Sequence, residues 1–194
     1  YVLPLSPDRV LIEDTRFSET PSLDRPAFRA AISAYAASRG LGEGVLVREE
    51  TGVLPMPYGG SPAPAIPRAP GPIIGGYGGG WFHPATGYSF PAAVRLAAAI
   101  GALPEGQIFG PALAALARSI GRQARFSRML NRLLFHGFAG ADRWRVMARF
   151  YHLPEPTIRR FYAMAMSPAD AARIIVGRPP RGLSMRRLLT ANAA

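Results

Sequence analysis

Two carboxylates standing side by side, directly after a run of branched apolar residues, are the first feature of this 194-residue sequence that suggests chemistry. In Val10-Leu11-Ile12-Glu13-Asp14-Thr15, strand alternation sends neighbouring side chains to opposite faces. Glu13 then shares one face with Leu11 and Thr15, and Asp14 shares the other with Val10 and Ile12. One acid is expected to meet apolar surroundings and the other water. Acids this close can also share a proton. Glu49 and Glu50 form a second adjacent pair, but with Arg48 and a turn beside them they read as surface ion-pair partners.

The second candidate is the stretch GGWFHPATGYSFP, which sets His83, Pro84, Thr86, Gly87, Tyr88 and Ser89 in a tight loop before a helix expected to begin near Pro91. The free N–H groups and positive dipole end of such a helix suit an anion. His83 either orients this loop or donates from it. Three scattered His, none with a carboxylate at ligand spacing, give no expected metal site. Cysteine is absent, which excludes disulfides, thiolate metal sites and a thiol nucleophile. The dinucleotide fingerprint G-x-G-x-x-G does not occur; GGYGGG has the wrong spacing and context.

The elements that must position these residues change in kind along the chain. Residues 1–5 and 9–15 read as a hairpin around Ser6-Pro7-Asp8-Arg9. An amphipathic helix follows from Asp24 to Arg39, with Asp24 as N-cap, Phe28, Ile32 and Tyr35 as apolar stripe, and Gly40 as stop. GVLVREETGVLPMP then predicts one or two more strands, and residues 59–72 a Pro/Gly-rich connector. The remainder reads as helical: PALAALARSIGRQARFSRMLNRLLF as one long helix, then DRWRVMARFY, EPTIRRFYAMAM and SPADAARIIV, the last with a capping-box-like start at Ser167.

Charge is distributed unevenly. All 23 basic residues are Arg, which with abundant Ala, Gly and Pro is the fingerprint of a GC-rich genome. Residues 1–50 carry six Arg against eight acids, whereas residues 51–194 carry seventeen against four, so the later part favours an anionic surface. Arg118, Arg122, Arg125, Arg128 and Arg132 recur at helical steps and read either as a solvated face or as a contact for anionic lipid headgroups. No recognised nucleic-acid motif accompanies them, and no nucleic-acid partner is expected. No run of apolar residues is long enough to span a bilayer.

Several pieces, in order, resemble one family. YVLPLSPDRVLIEDTRFS, REETGVLPMP, FHPATGYSFP, RMLNRLLF, RWRVMARFYHLPEPTIRRFYA and RIIVGRPP are similar to the C-terminal half of bacterial lycopene beta-cyclases, over residues 1 to about 180. The resemblance implies an isomerase (intramolecular lyase) that closes the linear ends of lycopene into beta-ionone rings without net redox change. It implies FAD in reduced form, with NADPH as reductant, and a place in the bacterial cytoplasm, peripheral at the inner face of the cytoplasmic membrane. LIEDT corresponds to the family's acidic motif, which assigns the acid to Glu13, with Asp14 as the weaker candidate. A carboxylic acid held against an apolar tunnel can stay protonated, as protonation of an alkene requires.

The fold class implied is α+β: the C-terminal part of a hydroxybenzoate-hydroxylase-like flavoprotein, a mixed sheet followed by a mainly helical region. Residues 1–58 would end the substrate-binding mixed-sheet domain, 59–72 connect, 73–103 form the flavin-facing loop and helix, and 104–194 the helical C-terminal region, with the dinucleotide-binding part upstream of Tyr1. The loop from His83 to Ser89 is similar to the one by which that class seats the isoalloxazine ring. The aromatics Trp81, Phe82, Tyr88, Phe90, Phe150, Tyr151, Phe161 and Tyr162 either line a polyene tunnel or form ordinary core. The rival readings are another flavoprotein of the same architecture, a hydroxylase or polyprenyl reductase, and a non-enzymatic basic helical module that binds lipid or RNA.

Overall fold

A computed structural model describes residues 1–42, 44–60, 63–67 and 71–190. The expected connector residues 61–62 and 68–70 lie outside that set. The chain divides into two units, Tyr1–Val53 and Leu54–Ala194.

The first unit is a hairpin and a helix. Strands β1 (Val2–Ser6) and β2 (Arg9–Ile12) pair antiparallel, Val2 opposite Ile12 and Pro4 opposite Val10, with a bulge that absorbs Leu5. The turn is closed by the Ser6 hydroxyl donating to Asp8 at 2.6 Å. The ladder runs one residue beyond β2, because Glu13 N–H donates to Tyr1 O at 2.9 Å and Tyr1 N donates to Glu13 O at 2.8 Å. Helix α1 (Arg25–Ser38) starts where expected, with the Asp24 carboxylate accepting from Ala27 N–H at 3.0 Å, and Gly40 ends it at φ +71°.

Residues 44–53 form no strand, contrary to the sequence reading. Val45, Leu46 and Val47 are largely exposed, and no ladder hydrogen bonds reach them. High β-propensity makes a strand only where an edge is available to pair with. Glu49 and Glu50 do form ion pairs: Glu49 accepts two bonds from Arg29 at 2.7 and 2.9 Å, and Glu50 pairs with Arg48.

The second unit is helical, with α2 (Phe90–Ala102), α3 (Pro111–Gly137), α4 (Arg143–Phe150), α5 (Glu155–Tyr162), α6 (Pro168–Ile175) and α7 (Met185–Thr190). Its core is organised by α3, whose buried residues Leu113, Ala117, Ile120, Ala124, Ser127, Asn131 and Leu134 alternate steps of four and three. This stripe packs with Ala92 and Leu96 of α2, with Trp81, and with Met164. Each large apolar side chain fully buried here contributes about 1.5–3 kcal/mol. On the opposite face Arg118, Arg122, Arg125 and Arg132 are exposed, while Arg128 is half-buried and leaves the row. Among the described residues no helix is long and apolar enough to cross a membrane.

α5 ends at Tyr162, four residues before the sequence pattern suggests. Met164 takes a left-handed backbone at φ +52°, and the carbonyls freed there are caught from other helices. Arg95 donates to Met164 O at 2.9 Å, and Gln123 to Met166 O at 2.9 Å. The turn delivers Met164 into the core, where it is 1 % exposed.

α5 and α6 are joined through Asp170. Arg160 binds it with two bonds of 2.7 Å, Thr157 Oγ1 donates at 2.9 Å, and Ser167 completes a capping box with both its N–H and its hydroxyl. The carboxylate has no exposed area, yet it lies shallow, covered by its own partners. The Arg160 guanidinium, then the Ser167 N–H, hold it far below the ordinary carboxylate range. A depressed folded-state pKa adds stability above the unfolded value that is lost as pH falls. The chain is therefore expected to lose stability as pH drops below about 4, and Asp170→Asn should flatten that acid limb while lowering stability at pH 7, both read by urea unfolding across pH.

Candidate active site

The adjacent acids sit at the open end of the hairpin, beside a cavity of about 400 Å³. Tyr1, Val2 and Ile12 wall it on the strand side and Ala31, Ile32 and Tyr35 of α1 on the other, with Glu13 and Asp14 both on its lining. Within this unit the packed side is that of Ile12 and Asp14, and Glu13 is exposed.

Their partners differ in kind. Asp14 is ion-paired with Arg16, which donates to one carboxylate oxygen through Nε at 3.0 Å and Nη2 at 2.6 Å. Arg16 itself is fixed over the Phe28 ring at 4.2 Å. The Glu13 carboxylate accepts the Thr15 hydroxyl at 2.6 Å and is in no ion pair among the described residues. Of the two carboxyls, that of Asp14 is the ion-paired one among the described residues.

The second candidate, in the other unit, is the loop leading into α2. Glycine is required at its first turn, since a Cβ on Gly79 would lie 1.7 Å from the Ile74 carbonyl oxygen. Backbone bonds Gly79 to Gly75, Gly80 to Tyr77 and Trp81 to Gly76 close that turn, and Trp81 plugs the core. The next turn closes on itself, with His83 N–H bonded to Tyr88 O, and Thr86 and Gly87 N–H to His83 O. Gly87, at φ +75°, is packed against Leu54, and its carbonyl accepts the Tyr77 hydroxyl.

His83 is buried within this loop. Its Nδ1 accepts Ala85 N–H at 3.2 Å, which leaves the proton on Nε2, and the ring lies 4.5 Å from that of Phe161. Burial pushes its pKa down to about 4; the Phe161 carbonyl opposes the shift, although no hydrogen bond of normal geometry reaches Nε2. The side chain of His83 thus orients the loop from beneath. Pro84 and Gly87 are also buried, Thr86 and Ser89 are half-buried, and Tyr88 is exposed. Ser89 makes no cap bond; Pro91 has no N–H, Ala92 is fully buried and Ala93 N–H bonds Ser89 O, so it is the Phe90 N–H that the start of α2 leaves for an anion.

The aromatics divide between the two roles considered for them. Trp81, Phe82 and Phe161 are core, whereas Tyr88, Phe90 and Tyr151 are exposed. Tyr162 bridges the groups, with its hydroxyl 2.6 Å from that of Tyr151 and its ring 5.8 Å from that of Tyr88.

One functional candidate escaped the sequence reading. Asn131, 1 % exposed on the core stripe of α3, donates to Pro84 O at 2.9 Å and to Pro57 O at 3.0 Å. A polar residue at a core position of a long amphipathic helix was the available signal.

Comparison with known proteins gives a consistent picture. The family model described as "Lycopene cyclase protein" matches residues 1–188. A lycopene beta-cyclase of Pseudescherichia vulneris is 46 % identical over 184 residues, covering 93 % of this chain and 47 % of the relative. That of a Paracoccus species is 41 % identical over 204 residues, covering 100 % and 53 %, and that of Pantoea ananas 43 % over 182 residues, covering 93 % and 47 %. The chain spans about half the length of these curated relatives. No solved structure matches it.

The buried imidazole yields a pH dependence with a definite sign. Between pH 6.5 and about 4 the unfolded chain takes up a proton that folded His83 refuses, so stability falls as pH drops through that window. The loss from this residue is on the order of 3 kcal/mol. Urea unfolding at pH 7, 5.5 and 4 measures it, and His83→Phe should remove this component of the slope.

Proposed function

The chain belongs to the lycopene cyclase family, and from that premise we propose that it carries the acid and the cofactor loop of a lycopene beta-cyclase. The enzyme is an isomerase: a proton adds to the terminal double bond of lycopene, the next double bond attacks the resulting cation, and loss of a proton leaves the ring alkene. One proton enters and one leaves, so the formula is unchanged and no net electrons flow.

The observation that carries this reading is the placing of Glu13. It borders a cavity with apolar walls from Val2, Ile12, Ala31 and Ile32, and no cation claims its carboxyl. Proton transfer to an alkene needs an acid that is not neutralised by a partner; Glu13 is exposed in this unit, and in this reading the hydrocarbon bound against it is what displaces water. Asp14, bound to Arg16, is the less available acid and serves as a fixed negative charge near the cation.

The frame is that of a hydroxybenzoate-hydroxylase-like flavoprotein, with FAD reduced by NADPH. When bound, the reduced flavin supplies negative charge beside the cationic intermediate. The loop from His83 to Ser89 fits the group: it carries exposed Tyr88, half-buried Ser89 and the Phe90 N–H at the start of α2, while His83, Pro84 and Gly87 hold it from within. The substrates are lycopene and related linear carotenoids. The enzyme is placed in the bacterial cytoplasm, peripheral at the inner face of the membrane, with the exposed Arg row of α3 against anionic headgroups.

In the enzyme containing this chain, Glu13→Gln should keep the fold and the flavin yet lose at least about a hundredfold in turnover. Asp14→Asn should cost less. Pigment extracts of lycopene-making bacteria read the outcome as red lycopene retained or orange-yellow beta-carotene formed, and near wild-type cyclisation by the Glu13 variant would remove it as the acid. For the membrane, sedimentation with anionic vesicles should be released by salt, since screening acts within about 10 Å at 0.1 M. Replacing Arg118, Arg122 and Arg125 with Gln should weaken that association, and unchanged binding would leave the row as a solvated face.

A further inference from the structure

Three of the contacts that hold the loop before α2 to the rest of its unit are the His83 ring on Phe161, the Gly87 carbonyl on the Tyr77 hydroxyl, and the Pro84 carbonyl on Asn131. The first is a packing contact, and the second is made from within the same glycine-rich segment. The third is a directional side-chain bond from an element 47 residues away in sequence.

The amide can do this because both of its hydrogens are used. Nδ2 donates at 2.9 Å to Pro84 O and at 3.0 Å to Pro57 O, and both acceptors are proline carbonyls in segments with no helix or strand ladder. The two N–H bonds of a primary amide diverge at a fixed angle in one plane, so the group sets two irregular segments at a fixed mutual position. The orientation of the amide is itself determined, because its oxygen would face two acceptors if the group were turned over. The side chain is 1 % exposed, so water cannot substitute for it without opening the core.

We propose that Asn131 is the positioning residue of the His83–Ser89 loop: it anchors Pro84 to α3 so that Tyr88, Ser89 and the Phe90 N–H that opens α2 are presented in one geometry. The link to the cofactor rests on the reading of that loop as the flavin seat. The neighbouring Ser127 supplies an internal control. It lies on the same buried stripe and is equally covered, but its hydroxyl donates only to Gln123 O of its own helix, at 3.0 Å.

The test uses the flavin-loaded enzyme that contains this chain, with three readouts: amide hydrogen exchange of residues 83–89, flavin affinity from fluorescence quenching, and the unfolding midpoint. Asn131→Asp places an acceptor opposite two acceptors, and Asn131→Ala removes the amide without adding charge, which serves where the Asp variant does not fold. Each should speed exchange in the loop and weaken flavin binding about tenfold, the order expected for losing one or two buried hydrogen bonds, while Ser127→Ala leaves both unchanged at a comparable unfolding midpoint. Wild-type loop protection in a folded Asn131→Ala variant would overturn the proposal. Faster loop exchange with unaltered flavin affinity would sustain Asn131 as the anchor and remove the loop as the flavin seat.

Discussion

A buried carbonyl that joins no helix or strand has to be given a donor from elsewhere, and much of the second unit is arranged around meeting that need for one irregular segment. Between Gly75 and Ser89 the chain makes its own turns wherever geometry allows, and Gly79 is the position that permits the first of them. The carbonyls of Pro84 and Gly87 cannot be served by the loop's own N–H groups, so Asn131 and Tyr77 serve them. Burial pushes the Tyr77 hydroxyl up, which keeps it a donor at any ordinary pH.

The two units solve the burial problem differently. In Leu54–Ala194 the long helix gives a continuous apolar stripe, and the two buried polar side chains on it, Ser127 and Asn131, donate to carbonyls. In Tyr1–Val53 no described residue is fully buried; the hairpin carries Leu3, Leu5, Val10 and Leu11 as exposed apolar surface next to its acids. The Arg16 bond on Asp14 distinguishes two otherwise equivalent carboxyls by one cation.

What was legible in the sequence follows from the range of the interactions involved. The Asp24 cap, the capping box at Ser167 and the full extent of α3 were readable because their causes lie within a few residues. The strand expected after Gly44 failed because pairing requires a partner that the local pattern cannot reveal. The early end of α5 escaped notice because Arg95 and Gln123, which catch the Met164 and Met166 carbonyls, lie tens of residues away. Glu13 and the His83 loop stood out by residue type and spacing. Asn131 did not, since a lone amide on an apolar face shows its purpose only once the two proline carbonyls are seen against it.

Five helices carry proline in their first turn, at Pro26, Pro91, Pro111, Pro156 and Pro168. A pyrrolidine ring already holds φ near the helical value, so these starts are partly ordered before any tertiary contact forms, and less conformational entropy is lost when the chain folds. The stabilisation acts through the unfolded ensemble and leaves no trace in the contacts of the folded one. Short helices such as α5 and α6, too brief to persist alone in water, gain most from it. Their register is written into the chain at the residue where each begins, independently of the neighbours they later meet.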